Sequence, residues 1–302
     1  MQQYSTPLPL AFVAAHAASI QPGDAVLEPS AGTGMLAIHA ELAGARIALN
    51  ELAEARADLL DLLFAKGGVT RHDAASIDDR LDPGVRPTVI LMNPPFSAVA
   101  KVERTMRDTA LRHIASALAR LEDGGRLVAI VGANCSPDAP AWHEAFVRLQ
   151  AQATLIFSAA IDGKVYAKHG TTTSTRLIVI DRRPAADPSA IAPSHGEAAD
   201  LATLLHWVRS AVPTRTAPQP PTAPARPIAA LTSPELSVRP TVAARQNILS
   251  ASPAPAPELA YETCDWQSPE GQLAETIYEP YALQSLFIPS SKPHPTALVQ
   301  SA

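Results

Sequence analysis

Ala25-Val26-Leu27-Glu28-Pro29-Ser30-Ala31-Gly32-Thr33-Gly34-Met35-Leu36-Ala37-Ile38 is the stretch on which the fold turns. Ala25-Val26-Leu27 is an apolar run of strand length, Glu28 to Gly34 is a turn rich in small residues, and Met35 to Ile38 begins an apolar-periodic helix. Strand, glycine-rich turn and helix start together let a ligand approach backbone amides at a helix N-terminus. Glycine leaves the approach open, and the first helical N–H groups lack partners within the helix. A glycine-rich loop alone is a weak signal. Here a second strand, Arg46-Ile47-Ala48-Leu49, ends at Asn50-Glu51, so an acidic residue lies 19 positions after Gly32. In nucleotide-type sites that position grips ribose hydroxyls.

Farther along, the apolar run Val89-Ile90-Leu91-Met92 ends in Asn93-Pro94-Pro95-Phe96. Asn and Pro are ordinary turn residues, but two prolines give up two backbone donors and fix φ twice, which makes a rigid turn. The Asn side-chain oxygen and the next carbonyl can both accept hydrogen bonds from one planar amino group, and the Phe offers a face for a ring to stack on. Such a turn suits the holding of an exocyclic amine.

These two motifs, in this order, resemble S-adenosylmethionine-dependent amino-methyltransferases of the adenine-DNA type. The resemblance covers about residues 1 to 183 and implies that Glu28, Pro29, Ser30, Ala31, Gly32, Thr33 and Gly34 bind the cofactor, while Asn93, Pro94, Pro95 and Phe96 carry the chemistry. Tyr4, Thr6 and Pro7 are similar to the family's N-terminal motif, which lines the methionine end of the cofactor. By the same resemblance Glu51 takes the ribose hydroxyls, and Asp73, within His72-Asp73-Ala74 after the third strand, accepts from the cofactor's adenine amine. The motif order matches the gamma arrangement, and the interval from Asp73 to Asn93 is too short for an inserted recognition domain.

The remaining pattern alternates strand and helix and predicts a mostly parallel sheet. Strands are expected to start at 25, 46, 69, 88, 127, 154 and 175, and helices to span Pro7 to Ser19, Leu52 to Lys66 and Arg107 to Leu121. The fold class expected is α/β: a Rossmann-like seven-stranded methyltransferase sheet with helices on both faces and a closing antiparallel hairpin. A polar loop containing His169-Gly170-Thr171-Thr172-Thr173 separates the last two strands. A loop histidine beside glycine is more often a turn residue than a catalyst, and direct methyl transfer needs none. In the family this loop faces the target base, which makes Lys168, His169 and Thr171 candidate substrate contacts.

The 47% hydrophobic content supplies a core, and no apolar stretch approaches the ~20 residues a membrane helix needs. Met1-Gln2-Gln3-Tyr4 lacks the basic start of a signal peptide, so a cytoplasmic location is expected. Cys135 and Cys264 lie far apart, and neither a disulfide framework nor a metal site is indicated. Cys135 reads as a buried small residue. A formal charge of −5 is unusual for an enzyme that binds DNA phosphates. Any DNA groove is therefore local, with Lys101, Arg104, Arg107, Arg112, Lys164 and Lys168 as candidates, and other protein is expected to supply most nucleic-acid affinity.

From about Pro184 the composition changes. Residues 184–260 read as a disordered Pro/Ala-rich linker with a short helix near 197–212, since 11 prolines fall between Pro213 and Pro257 and such a stretch cannot bury enough surface to offset ordering entropy. Residues 261–302 regain aromatic and apolar content, and this tail resembles the entrance to a helicase-like domain of the strawberry-notch type, found joined to methyltransferases in bacterial proteins. Such a helicase module is thus an expected partner, alongside DNA.

Three functional readings stand at this stage: methylation of adenine in DNA, amino methylation of guanine in RNA or glutamine in protein, and a non-catalytic cofactor-binding or DNA-docking module of a helicase system. No recognition domain follows residue 183 from which a target sequence can be read.

Overall fold

The structure is a computed structural model and describes residues 5–64, 68–94 and 109–215. Chain order within them is α1 (Leu8–Ala18), β1 (Ala25–Glu28), α2 (Ala37–Leu42), β2 (Arg46–Asn50), α3 (Glu54–Leu63), β3 (Val69–Thr70), α4 (Ile77–Arg80), β4 (Val89–Met92), α5 (Thr109–Arg120), β5 (Arg126–Gly132), α6 (Pro140–Gln150), β6 (Thr154–Ile161), β7 (Thr175–Asp181), β8 (Glu197–Ala198) and α7 (Leu201–Ala211). Two 3₁₀ segments, Ala74–Ser76 and Gly163–His169, complete the regular structure.

The strands form one sheet in the order β3-β2-β1-β4-β5-β7-β6-β8. β3, β2, β1, β4 and β5 run parallel, and β7 inserts antiparallel between β5 and β6. That is the α/β sheet with a closing antiparallel hairpin expected from the sequence. Strand β1 has β2 on one side and β4 on the other, so the chain winds in opposite directions from it. In open α/β sheets ligands bind at the carboxyl ends of the strands at such a switch point.

Alternation along the strands sends Leu27, Ile90, Met92, Leu127, Ala129, Val131, Ile178 and Ile180 to one face, where they meet Leu111, Ile114, Leu118, Leu121, Trp142 and Phe146 from α5 and α6. On the other face α1 packs over β4, β5 and β7 and against α7, so helices cover both sides. Cys135 is buried with a free thiol, as expected, and burial pushes its pKa up to about 12.

The structure corrects two expectations and refines a third. The sheet has eight strands, because Glu197–Ala198 add to β6 in parallel after a long excursion from β7. A two-residue strand leaves no period-2 signal. Within the polar loop expected between β6 and β7, Gly163–His169 form a 3₁₀ helix. The expected domain end at 183 also moves: among the described residues the compact unit takes in 184–215 as well.

Residues after 183 belong to the fold for physical reasons. Helix α7 buries Leu204, Leu205 and Val208 and is N-capped by Asp200, whose carboxylate accepts from Thr203 N at 2.7 Å. Arg215 and Asp24 form an ion pair with both side chains almost wholly buried. Asp24 also accepts from Thr88 Oγ1 at 2.7 Å and from Gln21 N at 2.8 Å. Arg126, buried at the start of β5, forks onto Asp181 at 2.7 and 3.2 Å and donates to the Pro213 carbonyl at 2.8 Å. The helix expected near 197–212 therefore exists as α7, and it is part of the domain. The rest of the expected linker and the tail, 216–302, lie outside the described residues.

Candidate functional site

Glu28 ends β1 and Asn93 follows β4, so the switch point brings the two sequence motifs together. Between Glu28 and α2 the chain turns through Gly32 and Gly34, whose φ angles are +58° and +80°. Gly34 is required on two counts. Its left-handed backbone disfavours a side chain, and a Cβ would lie 2.6 Å from Phe64 Cε2 and 3.0 Å from Leu60 Cδ2. The loop is seated by Ala31, buried with Ala37, Leu49 and Leu60, and by Ala31 N donating to the Asn50 carbonyl at 2.9 Å.

Glu51, at the end of β2, is buried and clamps this loop from the side. Its Oε2 accepts from Gly32 N at 2.8 Å, and its Oε1 accepts from Ala53 N at 2.9 Å and from Arg56 Nη2 at 3.0 Å. Asn50 beside it is almost completely buried and joins the ends of three strands. Its Nδ2 donates to the Pro29 and His72 carbonyls at 2.8 and 2.9 Å, while its Oδ1 accepts from His72 N and Thr70 Oγ1 at 2.8 and 2.9 Å. All four hydrogen-bonding positions of the carboxamide are filled. Sequence reading passed over Asn50 as a strand end; its only signal was an amide placed where an apolar run meets an acidic residue.

Asp73 is exposed, and its Oδ1 caps the first 3₁₀ segment by accepting from Ala75 N at 2.9 Å. Ala74 is buried beneath it. Glu28 is buried too, and its Oε2 has no hydrogen-bond partner among the described residues. Burial raises its pKa well above the ordinary carboxylate value; a bond from the Ala37 backbone N–H opposes that shift and the Glu51 charge adds to it. A buried carboxyl with an oxygen to spare at a ligand-facing strand end is what an ammonium group requires.

The N-terminal segment crosses this site. Ser5 Oγ and Thr33 Oγ1 lie 3.2 Å apart, and Asn93 Nδ2 donates to the Thr6 hydroxyl at 2.9 Å. Thr6 and Pro7 are buried, and Pro7 caps α1, its carbonyl accepting from Ala11 N at 2.9 Å. Pro94 is buried. Tyr166, from the second 3₁₀ segment, is buried with its hydroxyl beside the Asn93 side chain, but without closing a full hydrogen bond. Sequence reading missed Tyr166, whose signal was a lone aromatic in a polar segment.

Expected residues Tyr4, Pro95 and Phe96 lie outside the described residues, as do Lys101, Arg104 and Arg107. Lys168 and His169 are exposed at the end of the second 3₁₀ segment, and His169 makes an edge contact with the Tyr166 ring at 6.5 Å. Thr171 Oγ1 pairs with Thr173 Oγ1 at 2.9 Å. Lys164 pairs with Asp162 of its own segment at 3.4 Å, and Arg112 is exposed on α5. Among the described residues no group of His, Cys, Asp and Glu is arranged to hold a metal ion, and no helix is long and apolar enough to cross a membrane.

No family model matches the chain, and no curated protein matches it in sequence. Solved structures do match. A protein described as a class I S-adenosylmethionine-dependent methyltransferase from Listeria monocytogenes is 13% identical, with a TM-score of 0.53 over 69% of this chain and 72% of that one. A protein described as the modification subunit of a type I restriction enzyme from Vibrio vulnificus YJ016 is 18% identical, with a TM-score of 0.49 over 64% of this chain and 45% of that one. A protein described as an RNA methyltransferase from Pyrococcus horikoshii is 19% identical, with a TM-score of 0.45 over 60% of this chain and 88% of that one. The chain thus spans less than half the length of the type I subunit. The likeness to the Listeria protein, at a TM-score of 0.53 and 13% identity, establishes the fold alone: a Rossmann-like methyltransferase fold.

Proposed function

We propose that the chain transfers a methyl group from S-adenosylmethionine to the exocyclic amine of adenine in DNA. The observation that carries this reading is the Asn93 carboxamide, held at the carboxyl end of β4 with its amino group tied back to the Thr6 hydroxyl at 2.9 Å. With that end engaged, Oδ1 is the end proposed to accept from a substrate amine.

The residues present fit the cofactor. Glu28 has a buried oxygen without a partner for the methionine ammonium, the Gly32 and Gly34 turn gives close backbone access, and exposed Asp73 stands at the end of β3 for an adenine amine. Glu51 adds a second duty to the ribose contact, because the same carboxylate fixes the loop through Gly32 N–H. When bound, the cofactor would supply an electrophilic methyl on a sulfonium for transfer to the amine nitrogen, with the S–C electron pair kept by sulfur and the surplus proton on nitrogen lost to solvent.

The chain's own part is positioning and electrostatics. An aromatic amine has a delocalised lone pair and attacks poorly. Acceptance of its hydrogens by Asn93 Oδ1 and the Pro94 carbonyl favours a more tetrahedral nitrogen and stabilises the positive charge that forms there. Holding two reactants in line removes much of the barrier. A base in a duplex has to be flipped out first, and Phe96 is the proposed stacking surface. Lys168, His169 and Thr171 are proposed to face that base. The net charge of −5 supports a division of labour in which a helicase-type partner or domain brings most of the affinity for DNA.

The test is a transfer assay with methyl-labelled cofactor on unmethylated DNA, RNA and protein pools, followed by digestion and chromatography. Label in N6-methyladenine of DNA supports the reading. Label in guanine of RNA or in glutamine reassigns the substrate, and cofactor binding with no label in any pool, even with the helicase-type partner present, favours a docking module.

A further inference from the structure

The N-terminal segment touches Asn93, and the established features of the fold do not explain why. Thr6 sits just before α1, buried, and its hydroxyl receives the Asn93 amino group at 2.9 Å. The neighbouring residue, Ser5, contacts Thr33 of the glycine-rich turn at 3.2 Å. Behind Asn93 stands Tyr166, buried and brought there by a segment whose backbone is folded tightly on itself. A Cβ on Gly163 would lie 1.9 Å from the Thr172 carbonyl oxygen, so that position admits no side chain.

A carboxamide has two ends of similar shape and opposite hydrogen-bonding sense. Only the orientation with oxygen outward can accept from a substrate amine; turned by 180°, Asn93 would present N–H groups to N–H groups. A hydroxyl can accept from the amide NH2 or donate to its oxygen; in this structure the Thr6 hydroxyl accepts from Nδ2, which is the oxygen-outward orientation. The Tyr166 phenol is a second buried polar neighbour of the Asn93 side chain, its pKa raised by burial.

We propose that Thr6 is a positioning residue for Asn93, its hydroxyl holding the amino group inward so that Oδ1 faces the substrate amine, with Tyr166 backing the same orientation. The proposal rests on the amine-transfer reading above, and it differs from the expected role of Thr6 at the methionine end of the cofactor.

The two roles separate experimentally in the full-length chain. Thr6→Val keeps the shape and removes the acceptor; Thr6→Ser restores it; Tyr166→Phe removes the phenol oxygen alone. Turnover is read with labelled cofactor, cofactor affinity by calorimetry, and the Asn93 side-chain NH2 protons by nuclear magnetic resonance, assigned through their loss in Asn93→Ala. The expected result for Thr6→Val is a ten-fold or greater fall in kcat, cofactor Kd within two-fold of wild type, and displaced Asn93 NH2 signals, with Thr6→Ser recovering all three. Tyr166→Phe should move the same signals by less. Unmoved NH2 signals in Thr6→Val overturn the proposal, as does a cofactor Kd that rises as far as kcat falls. If the wild-type chain methylates nothing, the amine-transfer reading fails separately, and the NH2 signals alone decide the positioning role.

Discussion

Replacing Leu204 by Ala tests directly whether the domain continues past residue 183. Leu204 lies on α7 with 0% of its surface exposed. Truncating such a leucine removes its transfer free energy and leaves a cavity, which together cost about 2 to 5 kcal/mol. For a cooperative unit of this size each kcal/mol moves Tm by roughly 2 to 4 °C, so Tm should fall by roughly 4 to 20 °C. The assay is thermal and urea unfolding of the full-length chain, followed by circular dichroism, with Leu204→Ala compared against an exposed control on the same helix, His206→Ala. The control should change stability by less than about 0.5 kcal/mol. Were residues 184–215 a linker, both substitutions would behave like the control. A Leu204→Ala midpoint equal to wild type would refute the packing of α7, and with it the placement of the domain end beyond Pro213.

Other outcomes follow from the site. Asp73→Ala removes an exposed carboxylate and should weaken S-adenosylmethionine binding by about 1.5 to 3 kcal/mol in calorimetry, with only the small Tm loss of a missing cap, whereas Glu51→Ala should lower affinity and lower Tm further, since it also frees the Gly32 amide and the Arg56 and Ala53 donors. Unchanged affinity in both variants would remove the proposed pocket. Burial holds the Glu28 pKa well above its ordinary value, so above that ordinary value, about 4.3, the unfolded chain has released a proton that the fold retains. The contribution to stability is then present at low pH and falls as pH rises toward the folded pKa. Glu28→Gln should therefore gain on wild type from pH 4 to pH 8 in urea unfolding; parallel curves would count against a protonated Glu28.

Much of this arrangement is legible in the sequence because it depends on local pattern. The strands at Ala25, Arg46, Val69 and Thr175 begin where apolar runs begin, and the α1, α3 and α5 helices fall within the ranges that leucine and alanine spacing indicates. The loop and the β4 turn are legible because glycine and proline restrict the backbone in recognisable ways. What stays hidden depends on distant partners. A two-residue strand such as β8 exists only because β6 offers it an edge. Arg215 reads as one charge in a proline-rich stretch until Asp24, far away in the chain, is seen buried against it. Proline content after residue 213 also drew the expected boundary too early, since the apolar face of α7 precedes it. In the site, Thr6 and Tyr166 meet Asn93 through the closure of the sheet, which spacing alone does not report.

The most direct test of Asn93 as the group that activates the amine is the Asn93→Ala variant, assayed for transfer of labelled methyl to unmethylated DNA alongside calorimetric binding of S-adenosylmethionine. Loss of one preorganised acceptor from the transition state should lower kcat by about 100-fold or more, with cofactor Kd within two-fold of wild type because the Glu28 to Gly34 loop is untouched. Equal turnover in wild type and Asn93→Ala would contradict the assignment of the chemistry to Asn93.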